Sequence, residues 1–206
     1  MILVLLGAPG SGKGTISRLI SEVKNIPCIS TGEMLRKTED LPKEAVDLLK
    51  RGELLPDSII NQLLLNRIQK EDCNNGFILD GYPRNLEQAK CLDGLLASVN
   101  RSVSEALYLK VPTEVIYRRI LSRKECTACR ATFSADTPEK VENVCDKCGA
   151  ELKVRSDDNK ESLDRRLQVF NTNTDPIVEF YKEKGVLRAI QSDKGPEFAL
   201  KQALKD

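Results

Sequence analysis

The sequence predicts an α/β fold, a doubly wound parallel sheet of about five strands flanked by helices, with two lobes inserted into it. Three observations predict it. Short all-apolar runs recur along the chain and stop at glycine or at an acidic residue, as strands buried on both faces do. Between them lie longer stretches with the periodicity of about 3.6 residues that marks helices packed on one side. The first apolar run then passes through a glycine-rich turn into the first helical stretch, an order that suits phosphate binding at a helix N-terminus.

In chain order, the strands are expected at residues 2–6, 77–79, 106–109 and 186–190, with a weaker one at 26–29. Helical periodicity covers 13–23, 57–69, 86–97, 113–122 and 162–181, and 196–203 reads as a closing helix. Strand and helix alternate, which calls for right-handed crossovers within one core made of residues 1–29, 56–121 and 159–206. Two segments break the rhythm. Residues 30–55 hold two short helical pieces, with Pro42 placed to open the second, where one crossover would suffice. Residues 122–158 are polar, contain four cysteines and lack a long apolar run, so they read as a small β lobe.

Composition excludes several classes of function. The 32 basic and 31 acidic side chains nearly cancel, so nothing in the overall charge draws the chain to nucleic acid or to an anionic membrane. The opening apolar run is short, has no basic segment before it and ends in Gly-Ala-Pro-Gly, unlike a signal peptide or a membrane span. A cytoplasmic protein is expected. Its seven cysteines would then be thiols or metal ligands.

The turn is GAPGSGKGT, residues 7–15. Its glycines at 7, 10, 12 and 14 let Gly10, Ser11, Gly12, Lys13, Gly14 and Thr15 aim backbone amides at one anion, while Lys13 reaches the outer phosphates of a nucleotide. This is the P-loop form of the doubly wound fold, with one departure. Gly14 stands where the common pattern has a hydroxyl, and Thr15 follows one place later. A magnesium nucleotide also wants a carboxylate at the end of a neighbouring strand, and Asp80 closes the run Phe-Ile-Leu-Asp. A lone aspartate there would more often cap a turn. Next to this loop it reads as a group that holds magnesium through water.

Cys126-x-x-Cys129 and Cys145-x-x-Cys148 lie fifteen residues apart. Two such knuckles read as a tetrahedral zinc site of four thiolates, closed to water and therefore structural. Disulfides, or iron in the same cage, are the competing readings. Cys28, Cys73 and Cys91 have no partner at ligand spacing and read as ordinary thiols.

Behind the loop come Ser30-Thr31-Gly32-Glu33-Met34-Leu35-Arg36, Asp80-Gly81-Tyr82-Pro83-Arg84, Arg119, Arg123, the cysteines, Arg155-Ser156-Asp157-Asp158 and Arg165-Arg166-Leu167. In this order and over nearly the whole chain they resemble the signatures of the adenylate kinases, the nucleoside monophosphate kinase family, in the form whose lid binds zinc. The resemblance implies reversible phosphoryl transfer from magnesium ATP to AMP, giving two ADP, with segments 30–55 and 122–158 closing over AMP and ATP; nothing in the sequence asks for more than a monomer. It puts Arg36 and Arg84 on the AMP phosphate, Arg119 and Arg123 on the ATP side, and Arg155 and Arg166 over the transferring group. Thr132, Phe133 and Gly195 become contacts for ATP. Glu53, Leu54, Leu55, Gly81, Tyr82 and Pro83 join the AMP site, where Thr31 and Gln88 match the family's AMP-specific pair. A kinase for CMP, UMP or GMP remains the alternative.

Arginine suits two polyanionic substrates, because its planar fork grips two phosphate oxygens and keeps its charge. The chain has no histidine, and no general base is needed, since a monophosphate is already an anionic nucleophile. Two other classes fail on specific features. A GTPase switch calls for Asn-Lys-x-Asp, whereas residues 159–162 read Asn-Lys-Glu-Ser. A zinc-ribbon nucleic-acid binder calls for a basic face with exposed aromatics, and aromatic residues make up only 4% of the chain.

Overall fold

The structure, a computed structural model, describes residues 1–37, 48 and 55–204. Its main sheet has five parallel strands, β1 (Ile2–Gly7), β2 (Cys28–Ser30), β3 (Phe77–Asp80), β4 (Glu105–Lys110) and β8 (Leu187–Gln191), in the order β2-β3-β1-β4-β8. A second sheet pairs β5 (Lys124–Cys126) antiparallel with β6 (Thr132–Phe133) on one side and β7 (Leu152–Lys153) on the other.

The apolar runs become strands because both faces are covered. In β1 all six residues are buried, and alternate side chains enter different cores. Ile2, Val4 and Leu6 pack with α3 (Asp57–Ile68), α4 (Leu86–Ala97) and α6 (Lys160–Glu183), while Leu3 and Leu5 pack with α1 (Lys13–Lys24) and α7 (Pro196–Ala203). A polar residue on either face of β1 would lose apolar burial and need a partner. Helix boundaries follow local chemistry. Asn85 and Asn159 cap α4 and α6 by accepting from the amides of Gln88 and Ser162, at 2.8 and 2.9 Å. Pro196 opens α7, where a missing N–H goes unnoticed.

Parallel strands place all their C-terminal ends on one edge, and the site lies there. Leu5 stands opposite Asp80, so the loop leaving β1 runs beside the acid that ends β3. The loop rests on α5 (Thr113–Leu121) through a smaller cluster of Ala8, Ile116, Ile120 and Leu163. Of the two helical pieces expected in residues 30–55, the first is α2 (Thr31–Lys37). Pro42, placed to open the second, lies outside the described residues, and of residues 38–54 only 48 is described.

Candidate active site

The loop turns as its glycines allow. Gly10 and Gly12 adopt φ of 77° and 92°, conformations that strain other residues, and a Cβ on Gly10 would come within 2.9 Å of Ile120. Gly12 caps α1 with its carbonyl, taking the amides of Thr15 and Ile16 at 3.0 and 2.9 Å. The Ser192 hydroxyl donates to the Ser11 carbonyl at 2.7 Å and fastens the loop from the far side. Among the described residues, the amides of Gly12, Lys13 and Gly14 donate to no backbone oxygen, which leaves a cluster of donors at a helix N-terminus.

Lys13 folds back over this turn and donates to the carbonyls of Gly7 and Ala8 at 2.7 and 2.9 Å. Burial holds its ammonium down at about 8. Asp80 pulls the other way, while Arg84, Arg166 and Arg123 add to the depression. These four side chains, drawn from three separate stretches of sequence, line one cleft together with Lys13.

The departure at Gly14 has a steric reason. A Cβ there would sit 3.3 Å from Oδ2 of Asp80, tighter than ordinary van der Waals contact. A threonine at 14 would crowd the acid, whereas Thr15 points elsewhere and lies 3.5 Å from the hydroxyl of Thr132 in the small sheet. Cys28, in β2, also feels the charge of Asp80. Burial, and then the Asp80 charge, push its thiol up to about 12, so it stays neutral.

A cleft of about 1120 Å³ opens along this edge. Eleven basic and seven acidic side chains line it, a surplus of four, against a surplus of one for the whole chain. Most of the predicted arginines sit on carboxylates. Arg123 forks onto Asp158, with Nε 2.7 Å from one oxygen and Nη2 on the other, and the Asp158 side chain is fully buried. Arg166 reaches Asp157 at 3.1 Å, Arg119 and Arg118 share Asp136 at 2.6 Å each, and Arg155 meets Glu125. Arg84 donates to the Gly81 carbonyl at 2.7 Å. Thr132, Phe133 and Gly195 also line the cleft.

Next to β3 the Thr31 hydroxyl donates to the Gly81 carbonyl at 2.8 Å. Gln88 is only 2% exposed, and Tyr82 is fully buried, donating to Asn61 at 2.7 Å and to the Gln88 carbonyl at 3.1 Å. Tyr82 thus stands in the core behind Gly81, Pro83 and Arg84, which line the cleft. Leu55 is buried in the same core. Glu53 and Leu54, and the side chain of Arg36, lie outside the described residues.

The four cysteines converge. All four Sγ atoms lie within 4.8 Å of one another, Cys126 and Cys148 at 3.4 Å and Cys129 and Cys145 at 3.6 Å. Thiolates about 2.3 Å from a tetrahedral zinc stand about 3.8 Å apart, so the group fits a metal. The two knuckles repeat one pattern of hydrogen bonds. Cys126 N donates to Ala131 O and Arg130 N to Cys126 O, at 2.8 and 3.2 Å; Cys145 N donates to Ala150 O and Gly149 N to Cys145 O, at 2.9 and 2.8 Å. Arg130 and Gly149 take the same left-handed conformation, with φ of 60° and 74°. Around them the apolar core is only Cys126, Ala131, Phe133, Cys145 and Leu152, with Ala150 against it.

The family model for adenylate kinase matches residues 5–186. The chain belongs to the adenylate kinase family. Three curated adenylate kinases are similar over almost their full lengths: that of Archaeoglobus fulgidus, 41% identical over 98% of this chain and 95% of its own; that of Caldanaerobacter subterraneus subsp. tengcongensis, 44% over 94% and 90%; and that of Thermodesulfovibrio yellowstonii, 42% over 92% and 91%. As an adenylate kinase family member the chain is an enzyme of phosphoryl transfer to nucleoside monophosphates.

Sequence reasoning passed over several residues that build this kinase cleft. Glu125, Asp136, Asp157 and Asp158 hold the arginines, and Arg18 joins α1 to the small sheet by donating to Gly14 O at 3.0 Å and Arg130 O at 2.7 Å. The one available signal was Asp157-Asp158 directly after Arg155-Ser156. The partner of each charge depends on the fold.

Proposed function

We propose that the enzyme catalyses reversible, magnesium-dependent phosphoryl transfer from ATP to AMP, giving two ADP, and so balances the adenine nucleotides. The observation that carries this reading is one cleft lined by Arg84, Arg123 and Arg166 together with Lys13, Asp80 and a loop whose amides at 12–14 donate to no backbone oxygen among the described residues. Such a group suits one reaction centre where charge spreads over a moving phosphoryl group between two anions.

In this reading the amides of residues 10–15 and Lys13 hold the donor phosphates. Arg119 and Arg123 flank them, with Thr132, Phe133 and Gly195 toward the donor nucleoside. Arg36 and Arg84 hold the acceptor phosphate, and Thr31, residues 53–55, Gly81, Pro83 and Gln88 surround its base. The bond from the terminal phosphorus of ATP to its bridging oxygen breaks, and an AMP phosphate oxygen takes its place with no proton transfer, while Arg155 and Arg166 hold the phosphoryl group in line. Magnesium, when bound, supplies charge neutralisation, and Asp80 would hold it through water. Zinc in the Cys126, Cys129, Cys145, Cys148 cage would make up for the small lobe's lack of core. Segments 30–55 and 122–158 would close over AMP and ATP and exclude water. A monomer is part of this reading. A cage that needs reduced thiolates supports the cytoplasm.

The test is ADP formation from ATP with AMP, CMP, UMP and GMP in turn. AMP is expected to give the highest kcat/KM. Transfer to a pyrimidine in preference would overturn the reading of Thr31 and Gln88, and no transfer to any of the four would overturn the whole.

A further inference from the structure

A glutamine amide has a donor end and an acceptor end of nearly equal size. Turning it over exchanges them, and with them the purine edge it can read. A 6-aminopurine presents an acceptor at N1 and a donor at its amine; a 6-oxopurine presents the reverse. Whatever fixes the amide therefore chooses between the two.

Here both ends of Gln88 are fixed. Its Oε1 accepts from the backbone N–H of Arg84 at 2.7 Å, and its Nε2 donates to Oδ1 of Asp57 at 2.7 Å. A backbone N–H can only donate and a carboxylate can only accept, so the reversed amide would meet like against like at both ends. One N–H stays available on the Asp57 side and one oxygen lone pair on the Arg84 side, the order that complements a 6-aminopurine. Asp57 is itself held in place. Both its oxygens accept from Nδ2 of Asn85 at 3.1 Å, while Oδ1 of Asn85 accepts from the backbone N–H of Gln88 at 2.8 Å, which closes a ring through Asp57, Asn85 and the backbone and side chain of Gln88. An asparagine at 57 would strain this ring, because with its oxygen kept toward Gln88 its NH2 must face Nδ2 of Asn85.

We propose that Asp57 is a positioning residue that makes the enzyme prefer 6-amino over 6-oxo purine monophosphates, by fixing the amide of Gln88. This rests on the reading of Gln88 as the side chain that faces the acceptor base.

The experiment compares AMP with inosine monophosphate, which has the same outline and the reversed edge. Kinetics of the wild type, Asp57→Asn, Asp57→Ser and Gln88→Ala are measured with both acceptors, together with KM for ATP and thermal melting. The expected result for both Asp57 variants is a KM for AMP raised roughly tenfold, an unchanged KM for ATP, and an AMP-to-IMP ratio of kcat/KM lowered roughly tenfold toward that of Gln88→Ala. Serine suits a helix N-terminus, so Asp57→Ser carries the test if the asparagine variant does not fold. A wild-type ratio in a folded Asp57 variant, with a lowered ratio in Gln88→Ala, overturns the proposal and leaves the Gln88 reading intact. An unchanged ratio in Gln88→Ala overturns the Gln88 reading itself. A purely structural role for Asp57 would lower the melting temperature and raise both KM values without moving the ratio, and that result also counts against the proposal.

Discussion

Replacing Lys13 with methionine should destroy activity and yet leave the protein at least as stable at neutral pH. The magnitude follows from the site. Burial, helped by three arginines, lowers the Lys13 pKa from 10.5 to about 8, so keeping the ammonium charged in the folded protein costs about 3 kcal/mol. Against this stand two hydrogen bonds to Gly7 and Ala8, at 2.7 and 2.9 Å, each worth about 1 kcal/mol net. The variant should therefore gain about 1 kcal/mol at pH 7, or about 2–4 °C in a chain of this size. The sign reverses at high pH. Below pH 8 the lysine is protonated in both folded and unfolded states and the cost is fully present. Between pH 8 and 10.5 the unfolded chain keeps a proton that the folded one has lost, so wild-type stability rises with pH and the cost disappears. By pH 10.5 the wild type should lead by about 2 kcal/mol. Denaturant unfolding of both proteins at pH 7 and pH 10.5 measures this, and other titrating groups cancel in the comparison. A methionine variant more than about 1 kcal/mol less stable at pH 7, or a difference that ignores pH, would show that the buried ammonium is not costly. Turnover should fall on the order of a thousandfold at either pH.

Two further outcomes are expected. Purified protein should contain one tightly held metal per chain, and a chelator or Cys145→Ser should lower stability by at least about 2 kcal/mol, with protease cuts appearing first within residues 122–158; metal-free protein that melts like the untreated sample would exclude the cage reading. Gly14→Thr restores the hydroxyl of the commoner loop but presses on Asp80, so turnover should drop on the order of tenfold or more while stability moves by less than about 1 kcal/mol; full activity in that variant would show that Asp80 tolerates the contact.

How much of this was legible in the sequence depends on whether the signal is local. The strands at 2–7 and 77–80 were legible because both faces are buried, which forces an unbroken apolar run. The loop and the cysteine cage were legible because a few consecutive residues carry their geometry. The reason for Gly14 was not, since it depends on β3 lying beside β1 and bringing Asp80 against the loop. Nor was the burial of Gln88, which looks like an ordinary helix residue until Asp57, thirty-one positions earlier, reaches its amide. The arginines were identified by their match to a family pattern. Charge counting could not have separated them from the other basic residues, and their carboxylate partners depend on how β5, α5 and α6 come together.

Those carboxylates explain how a cleft with so many cations stays folded and ready. An arginine presents five N–H donors, and the fork of Arg123 on Asp158 uses two, which leaves three for other acceptors. The guanidinium is thus anchored on one side and presented on the other. Asp158 can stay fully buried only because Arg123 and, at 3.8 Å, Arg166 neutralise it. The same argument applies to Asp136 under Arg118 and Arg119, and to Glu125 between Arg130 and Arg155. With Asp157, which takes Arg166 at 3.1 Å, four carboxylates therefore fix the directions of six arginines through folding energy, before any phosphate is met. Little side-chain entropy is then left to lose when charge develops on a transferring group, which is where fixed dipoles outperform water. In the proposed reaction Glu125, Asp136, Asp157 and Asp158 would thus set the precision with which the arginines meet phosphate.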